Sequence, residues 1–242
     1  MTVVVGTREL PVTENWRGWG SNELFMEPTA TEKPPACRVS TQRVSLLDCD
    51  MLETELLLNA YRQGIFPMAL NKRGTIGWFS PDPRAIIPLD DRFHVPHGLR
   101  RTLKKEPFEI VFDKDFPAVM RACADRQEGT WISPQIFKSY GRLHKLGHAH
   151  SVEVWRAGEL VGGLYGVSIG AAFFGESMFH RATDASKVAL VALVERLRER
   201  GFVLLDTQWQ TPHLRQFGTC EIPRMEYLQI LKRAVTFDCQ FS

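Results

Sequence analysis

The stretch from Ser151 to Trp209 narrows the possible folds more than any other part of the chain. Three apolar, β-branched and aromatic runs, SVEVWR (151–156), LVGGLYGVSI (160–169) and AAFFGESMF (171–179), follow one another across Ala157-Gly158-Glu159 and across the single Gly170. Linkers this short point to antiparallel hairpins, because a parallel return needs a crossover of about a dozen residues. At 187–200 the period changes: Leu190, Leu193, Val194 and Leu197 share one helical face, while Glu195, Arg198 and Glu199 turn outward. FVLLDTQW (202–209) then reads as a buried strand, and Pro223 opens a last helix carrying Leu228, Leu231 and Val235.

Hairpins, a helix, a strand and a final helix make an α+β domain on a mixed, mostly antiparallel sheet flanked by helices. The order is that of an N-acetyltransferase-like fold. A chain of 242 residues can bury one sizeable core or two modest ones. Regular patterning begins near residue 86, which predicts a larger domain at 86–242 and a small N-terminal domain at 1–85. Residues 1–45, with Pro11, Pro28, Pro34 and Pro35, show no helical or strand period and are expected to form an irregular leading extension. A first helix is predicted over 48–63 with Gly64 as its stop, whereas GIFPM and WFSPDPRAIIPL carry too much proline for a helix interior. Asp115 can cap a helix with the stripe Phe116, Val119, Met120 and Cys123; Ser133-Pro134 opens another, which Gly147 closes.

Thirty Lys and Arg stand against twenty-eight Asp and Glu, a net charge of +2, so a polyanionic partner would have to be met by a local cluster. One exists: Arg100, Arg101, Lys104 and Lys105 repeat at i and i+4, with Leu99 and Leu103 on another face, giving a basic-faced helix at 97–105. The five cysteines form no CxxC pair, which fits reduced thiols in a cytosolic compartment and no structural disulfide. No apolar run approaches the roughly 18 residues of a membrane span, so a soluble cytoplasmic protein is expected. His144, His148 and His150 lack an acidic or Cys partner at short range, and no metal is expected.

Polar residues inside apolar strands are costly unless something polar meets them. Asp206 and Gln208 stand at i and i+2 of FVLLDTQW, and Glu176 and Met178 at i and i+2 of AAFFGESMF, so strict alternation would place each pair on one face. Such carboxylates pair with a buried arginine, accept backbone donors at a strand end, or mark a site.

Eight blocks in order carry a resemblance: AYRQGIFP (60–67), WFSPDPRA (78–85), GTWIS (129–133), GHAHSVEVW (147–155), LVGGLYGV (160–167), GESMF (175–179), LLDTQ (204–208) and CEIPR (220–224). Together, over roughly residues 56–235, they resemble the leucyl/phenylalanyl-tRNA protein transferases. The resemblance implies aminolysis of the ester joining an amino acid to the terminal adenosine of tRNA, by the N-terminal amine of an acceptor protein beginning with Arg or Lys. It implies marking of that protein for degradation, and no cofactor. Glu176, Asp206 and Gln208 would form the reacting centre, with Glu176 as counter-charge to the acceptor side chain and Asp206 as an orienting acceptor. Gln208 would hold the attacking nitrogen and the ester oxygen.

A donor pocket is implied at Leu164, Met178 and Leu190, with Met68 and Leu193 beside it, suited to leucine, phenylalanine or methionine. Trp131 and Trp78 would stack on the adenosine. Arg100, Arg101, Lys104 and Lys105, with Arg62 and Arg84, would meet tRNA phosphates. Met68 stands where the family has an aromatic, a GGDLS-like segment is replaced by VSLLDCDMLE, and Leu193 replaces a common aromatic; these departures bear on cargo preference. Two other readings remain: an acyl-CoA-dependent N-acetyltransferase, against which HRATDASK (180–187) has no glycine for a pyrophosphate loop, and a non-catalytic binder of charged tRNA. A monomer is expected.

Overall fold

The computed structural model describes residues 3–4, 51–71, 74–105, 108–127 and 129–242. A short strand β1 (Val3–Val4) precedes α1 (Thr54–Arg62), β2 (Phe66–Ala69) and β3 (Ile76–Phe79); β3 lies between β1, parallel to it, and β2, antiparallel. There follow β4 (Arg84–Ile87), α2 (His97–Lys105), β5 (Glu109–Phe112), α3 (Phe116–Ala124), α4 (Pro134–Lys145), β6 (Ala149–Arg156), β7 (Glu159–Ile169) and β8 (Ala172–His180). The chain closes with α5 (Ala185–Glu199), β9 (Leu204–Gln208), α6 (Pro212–Arg215), β10 (Cys220–Ile222) and α7 (Arg224–Ala234). Strands β10-β4-β9-β8-β7-β6-β5 make a seven-stranded sheet. Its pairs are antiparallel except β8 with β9, which α5 joins as a crossover. This is the mixed, mostly antiparallel α+β arrangement read from the hairpin spacing.

The capping residues act as their chemistry dictates. Asp115 accepts from the Ala118 N–H at 2.9 Å, Ser133 accepts from Ile136 at 3.3 Å, and Gly147 follows α4 at φ +79°. The first helix is shorter than its periodicity suggested. Met51, Leu52 and Glu53 are non-helical, because the Leu52 N–H donates to Ser139 Oγ at 2.8 Å and ties the entry to α4; positions 48–50 lie outside the described residues. Proline richness concealed strands as well as excluding helix: Pro67 sits in β2, an edge strand, where a missing N–H is tolerated.

Strand alternation sorts the interior into two cores on opposite faces of the sheet. Tyr165, Phe174 and Leu204 face one, under α1, α3, α4 and α7; Leu164, Phe173 and Leu205 face the other, under α5. The first core joins Leu57, Tyr61, Phe66 and Trp78 to Phe116, Tyr140, Tyr165 and Tyr227, so residues on both sides of position 86 share one interior, and β4 runs across that position.

Two irregularities interrupt the alternation. On β8, Gly175 pairs with Gly166 and Ser177 with Tyr165, leaving Glu176 as the extra residue of a bulge. Gly166 permits the close approach there: a Cβ would lie 2.3 Å from the Phe174 carbonyl oxygen. On β9, Asp206 pairs with Ile86 and Gln208 with Ala85, leaving Thr207 unpaired, and Gln208 takes φ +61°.

Candidate functional site

The β8 bulge decides where Glu176 points. With one residue added, Met178 joins Leu164 toward the second core, while Glu176 turns to the tyrosines of the first. Glu176 and Met178 therefore do not share a face, contrary to the simple alternation. Tyr61 donates to Glu176 Oε1 at 2.7 Å, Tyr140 reaches Oε2 at 3.4 Å, and the two phenol oxygens share a short hydrogen bond. Burial of this carboxyl pushes its pKa up to about 8, with the nearby Asp206 charge adding to the rise and the Tyr61 hydrogen bond and Arg84 opposing it. The same burial, with the Glu176 charge, holds the Tyr61 and Tyr140 phenols well above their ordinary range.

A raised carboxyl pKa means that the folded state binds more protons than the unfolded chain between pH 4.5 and about 8, so this group makes stability fall as pH rises through that window. Glu176→Gln removes the titration. In urea denaturation the variant is expected to gain stability relative to the wild type at pH 9 compared with pH 5; parallel curves would show that Glu176 titrates normally.

Opposite Glu176 lies a closed ion pair. Arg84 donates from Nε to Asp206 Oδ1 at 2.9 Å and from Nη2 to Oδ2 at 2.6 Å. Its Nη1 donates to the Gly64 carbonyl at 3.0 Å, and its guanidinium stands over the Phe66 and Tyr227 rings, 5.1 and 4.5 Å from their centroids. Asp206 also accepts from Tyr227 Oη at 2.7 Å and from the Gln208 N–H at 2.9 Å, so each oxygen takes two donors. Both charges are essentially fully buried, at 1% and 0% exposure. Bidentate pairing with further hydrogen bonds makes such burial tolerable. Asp206 holds Gln208 by its backbone, in a left-handed conformation, and the Gln208 side-chain Nε2 is buried without a partner among the described residues.

Several sequence expectations meet different surroundings. Arg84 cannot serve as a phosphate contact, because its guanidinium is consumed by Asp206 and Gly64 inside the core. Thr207 as an extra residue breaks the i, i+2 rule that paired Asp206 with Gln208. Trp78, 4% exposed, has its ring closed within the first core beside Met68, and offers no open face to a base; Trp131 is half-buried at the rim of that core. Leu164, Leu190 and Leu193 pack together in the second core with half-buried Met178 against them, so the implied pocket residues divide between the two faces of the sheet. Arg62, Arg100, Arg101, Lys104 and Lys105 are exposed.

Residues that the sequence reading missed are the holders: Tyr61, Tyr140 and Tyr227. Nothing local along the chain marks any of the three as a partner of a buried carboxyl. Two open grooves of about 310 and 290 Å³ lie elsewhere, around Val203 and Ile230, and neither is lined by Glu176, Asp206 or Gln208. Among the described residues no group of three or more His, Cys, Asp or Glu could hold a metal ion, and no helix is long and apolar enough to cross a membrane.

Family models fit most of the described chain. The leucyl/phenylalanyl-tRNA protein transferase model matches residues 86–232, and the model of that family's N-terminal domain matches residues 50–82. A leucyl/phenylalanyl-tRNA protein transferase of Akkermansia muciniphila is 61% identical over 188 residues, 77% of this chain and 97% of that protein. The protein of the same name from Herpetosiphon aurantiacus is 57% identical over 190 residues, 78% of this chain and 98% of that one. Among solved structures, FemX matches with a TM-score of 0.45 and 12% identity over 74% of this chain and 71% of its own, too remote to bear on activity. By these matches, the chain belongs to the leucyl/phenylalanyl-tRNA protein transferase family.

Proposed function

We propose that this protein transfers leucine or phenylalanine, and also methionine, from aminoacyl-tRNA to the N-terminal amine of proteins that begin with Arg or Lys, marking them for degradation. The observation that carries the reading is the Nε2 of Gln208, buried without a partner among the described residues, on a residue whose backbone Asp206 holds. A buried donor left unsatisfied is costly, and an ester oxygen supplies the missing acceptor. In the reaction the amine nitrogen attacks the ester carbonyl carbon, the amide bond forms, and the bond to the ribose oxygen breaks. The nitrogen's proton passes to that leaving oxygen. Gln208 Nε2 steadies the oxygen on which negative charge develops.

Asp206 is a positioning residue in this scheme, since all its hydrogen bonds are internal. No strong base is required, because an α-amine with a pKa near 7.7–8.0 is already roughly one-sixth neutral at pH 7. Glu176 is the counter-charge for the acceptor's Arg or Lys side chain, which would draw its raised pKa down and release a proton on binding. Met178, with Leu164 and Leu190 behind it, receives the donor side chain, and its thioether adapts to branched or ring-shaped cargo.

The deciding experiment incubates the protein with an Arg-initial peptide and either charged tRNA or acetyl-CoA, then weighs the peptide. A gain of one leucyl or phenylalanyl residue from tRNA is expected; an acetyl gain, or no gain, would overturn the reading. The acetyl route is already disfavoured at the α5 N-terminus, where a pyrophosphate would sit. The Asp184 carboxylate stands there, bonded to Lys187 Nζ at 2.8 Å and to Thr102 Oγ1 at 3.2 Å.

The exposed α2 face meets the tRNA phosphates. Replacing Arg100, Arg101, Lys104 and Lys105 with glutamine is expected to lessen the salt dependence of tRNA binding, read as the slope of log K against log salt. The slope should shrink by about 0.7–0.9 for each phosphate no longer neutralised. An unchanged slope would remove α2 from the interface.

A further inference from the structure

We propose that Arg126 is a phosphate-binding residue for the last nucleotide of the donor, an inference that rests on the aminoacyl-tRNA reading above. It stands where α3 gives way to the turn leading to Trp131. Its Nε donates to the Cys123 carbonyl at 3.1 Å, and its Nη2 donates to Ser177 Oγ at 2.9 Å and to the Met178 carbonyl at 3.3 Å. All three acceptors are neutral. Among the described residues it makes no ion pair, although the residue is exposed.

An exposed arginine is ordinarily solvated and mobile, or paired with a carboxylate. Here three hydrogen bonds to fixed acceptors hold the guanidinium in one orientation, with no carboxylate paired to it among the described residues. That is a preorganised anion site, because the fork still has N–H groups to offer and little rotamer entropy left to lose. Its place matches a donor's end. The Ser177 hydroxyl it grips follows Glu176 along β8, and the Met178 carbonyl belongs to the residue assigned to the cargo side chain.

Trp131 is on the same connection. The Gly129 N–H donates to the Arg126 carbonyl at 3.2 Å, and the Trp131 carbonyl accepts from the Ala69 N–H at 3.2 Å. The segment is thus pinned to β8 at its start and to β2 at its end, with a fixed cation and a half-buried aromatic ring between those anchors. A ring for the base and a cation for the phosphate are the two elements by which a single-stranded nucleotide is held.

The test compares two minimal donors, an aminoacyl-adenosine with and without a 5′-phosphate. Wild type is first assayed with charged tRNA, so that absence of any transfer counts against the proposed function itself. The readout is the ratio of kcat/KM between the phosphorylated and unphosphorylated donors. Arg126→Ala is expected to lower that ratio about ten-fold or more, the scale of a charge-assisted contact, and Arg126→Lys to restore part of it. A second measurement is independent of turnover and of proper loop packing during catalysis: quenching of tryptophan fluorescence by adenosine 5′-monophosphate against adenosine. Wild type should bind the monophosphate more tightly, and Arg126→Ala should lose that preference. An unchanged ratio, or equal binding of adenosine and its 5′-monophosphate by wild type, would show that Arg126 only anchors the segment.

Discussion

Arg84→Ala is expected to lower the folding free energy by about 3–5 kcal/mol, because it strands the Asp206 carboxylate in the core with its strongest partner gone. For a fold of this size each kcal/mol shifts the melting temperature by about 2–4 °C, so the loss should be plain in either urea or thermal unfolding. The result separates two roles that the sequence could not separate. A surface arginine that met tRNA would cost about 0.5 kcal/mol or less when truncated, as Arg100→Ala should. The double variant Arg84→Met, Asp206→Leu sharpens the comparison. Removing both charges together relieves the stranded carboxylate and should recover much of the stability. Activity should stay low in this variant, since the Gln208 N–H then lacks the acceptor that holds its backbone. Recovery of full activity along with stability would show that Asp206 does not position Gln208.

The second large effect concerns Gln208 itself. Gln208→Met keeps the length and adds no β-branch to the left-handed backbone, but removes the amide. We expect kcat to fall about 10²–10³-fold, the range seen when one donor to a developing oxyanion is removed. KM for the donor should change little, and stability should hold or rise because the lost Nε2 has no partner among the described residues. Steady-state kinetics with charged tRNA, beside urea unfolding, reads both quantities. A rate loss under about three-fold, or a change confined to KM, would take Gln208 out of the transition state.

How far the chain could be read in advance depended on the range of the interactions involved. Helix caps at Asp115 and Ser133, the hairpins around Gly158 and Gly170, and the basic face of α2 are local patterns, set within a few residues by hydrogen bonding, short linkers and side-chain period. They appear in the structure where the sequence placed them. Strands β2, β3 and β4 did not announce themselves, because their proline content hides the alternation and only pairing with distant strands makes them strands.

The site follows the same division. The identities of Glu176, Asp206 and Gln208 stood out as polar residues in apolar runs, and the order of motifs around them was enough to suggest a family. Their directions were another matter. A bulge depends on how two strands register, so the rule of two failed at both Glu176 and Gln208. Arg84 and Asp206 are 122 positions apart, and nothing along the chain distinguishes an arginine that will be buried against a carboxylate from one that will face a phosphate. The tyrosines that hold these carboxyls by hydrogen bonds come from α1, α4 and α7, elements that meet only when the first core closes. Residue chemistry and local period were therefore written in the sequence, while protonation, burial and aim were decided by long-range packing, since a charge's energy depends on the groups that fold around it.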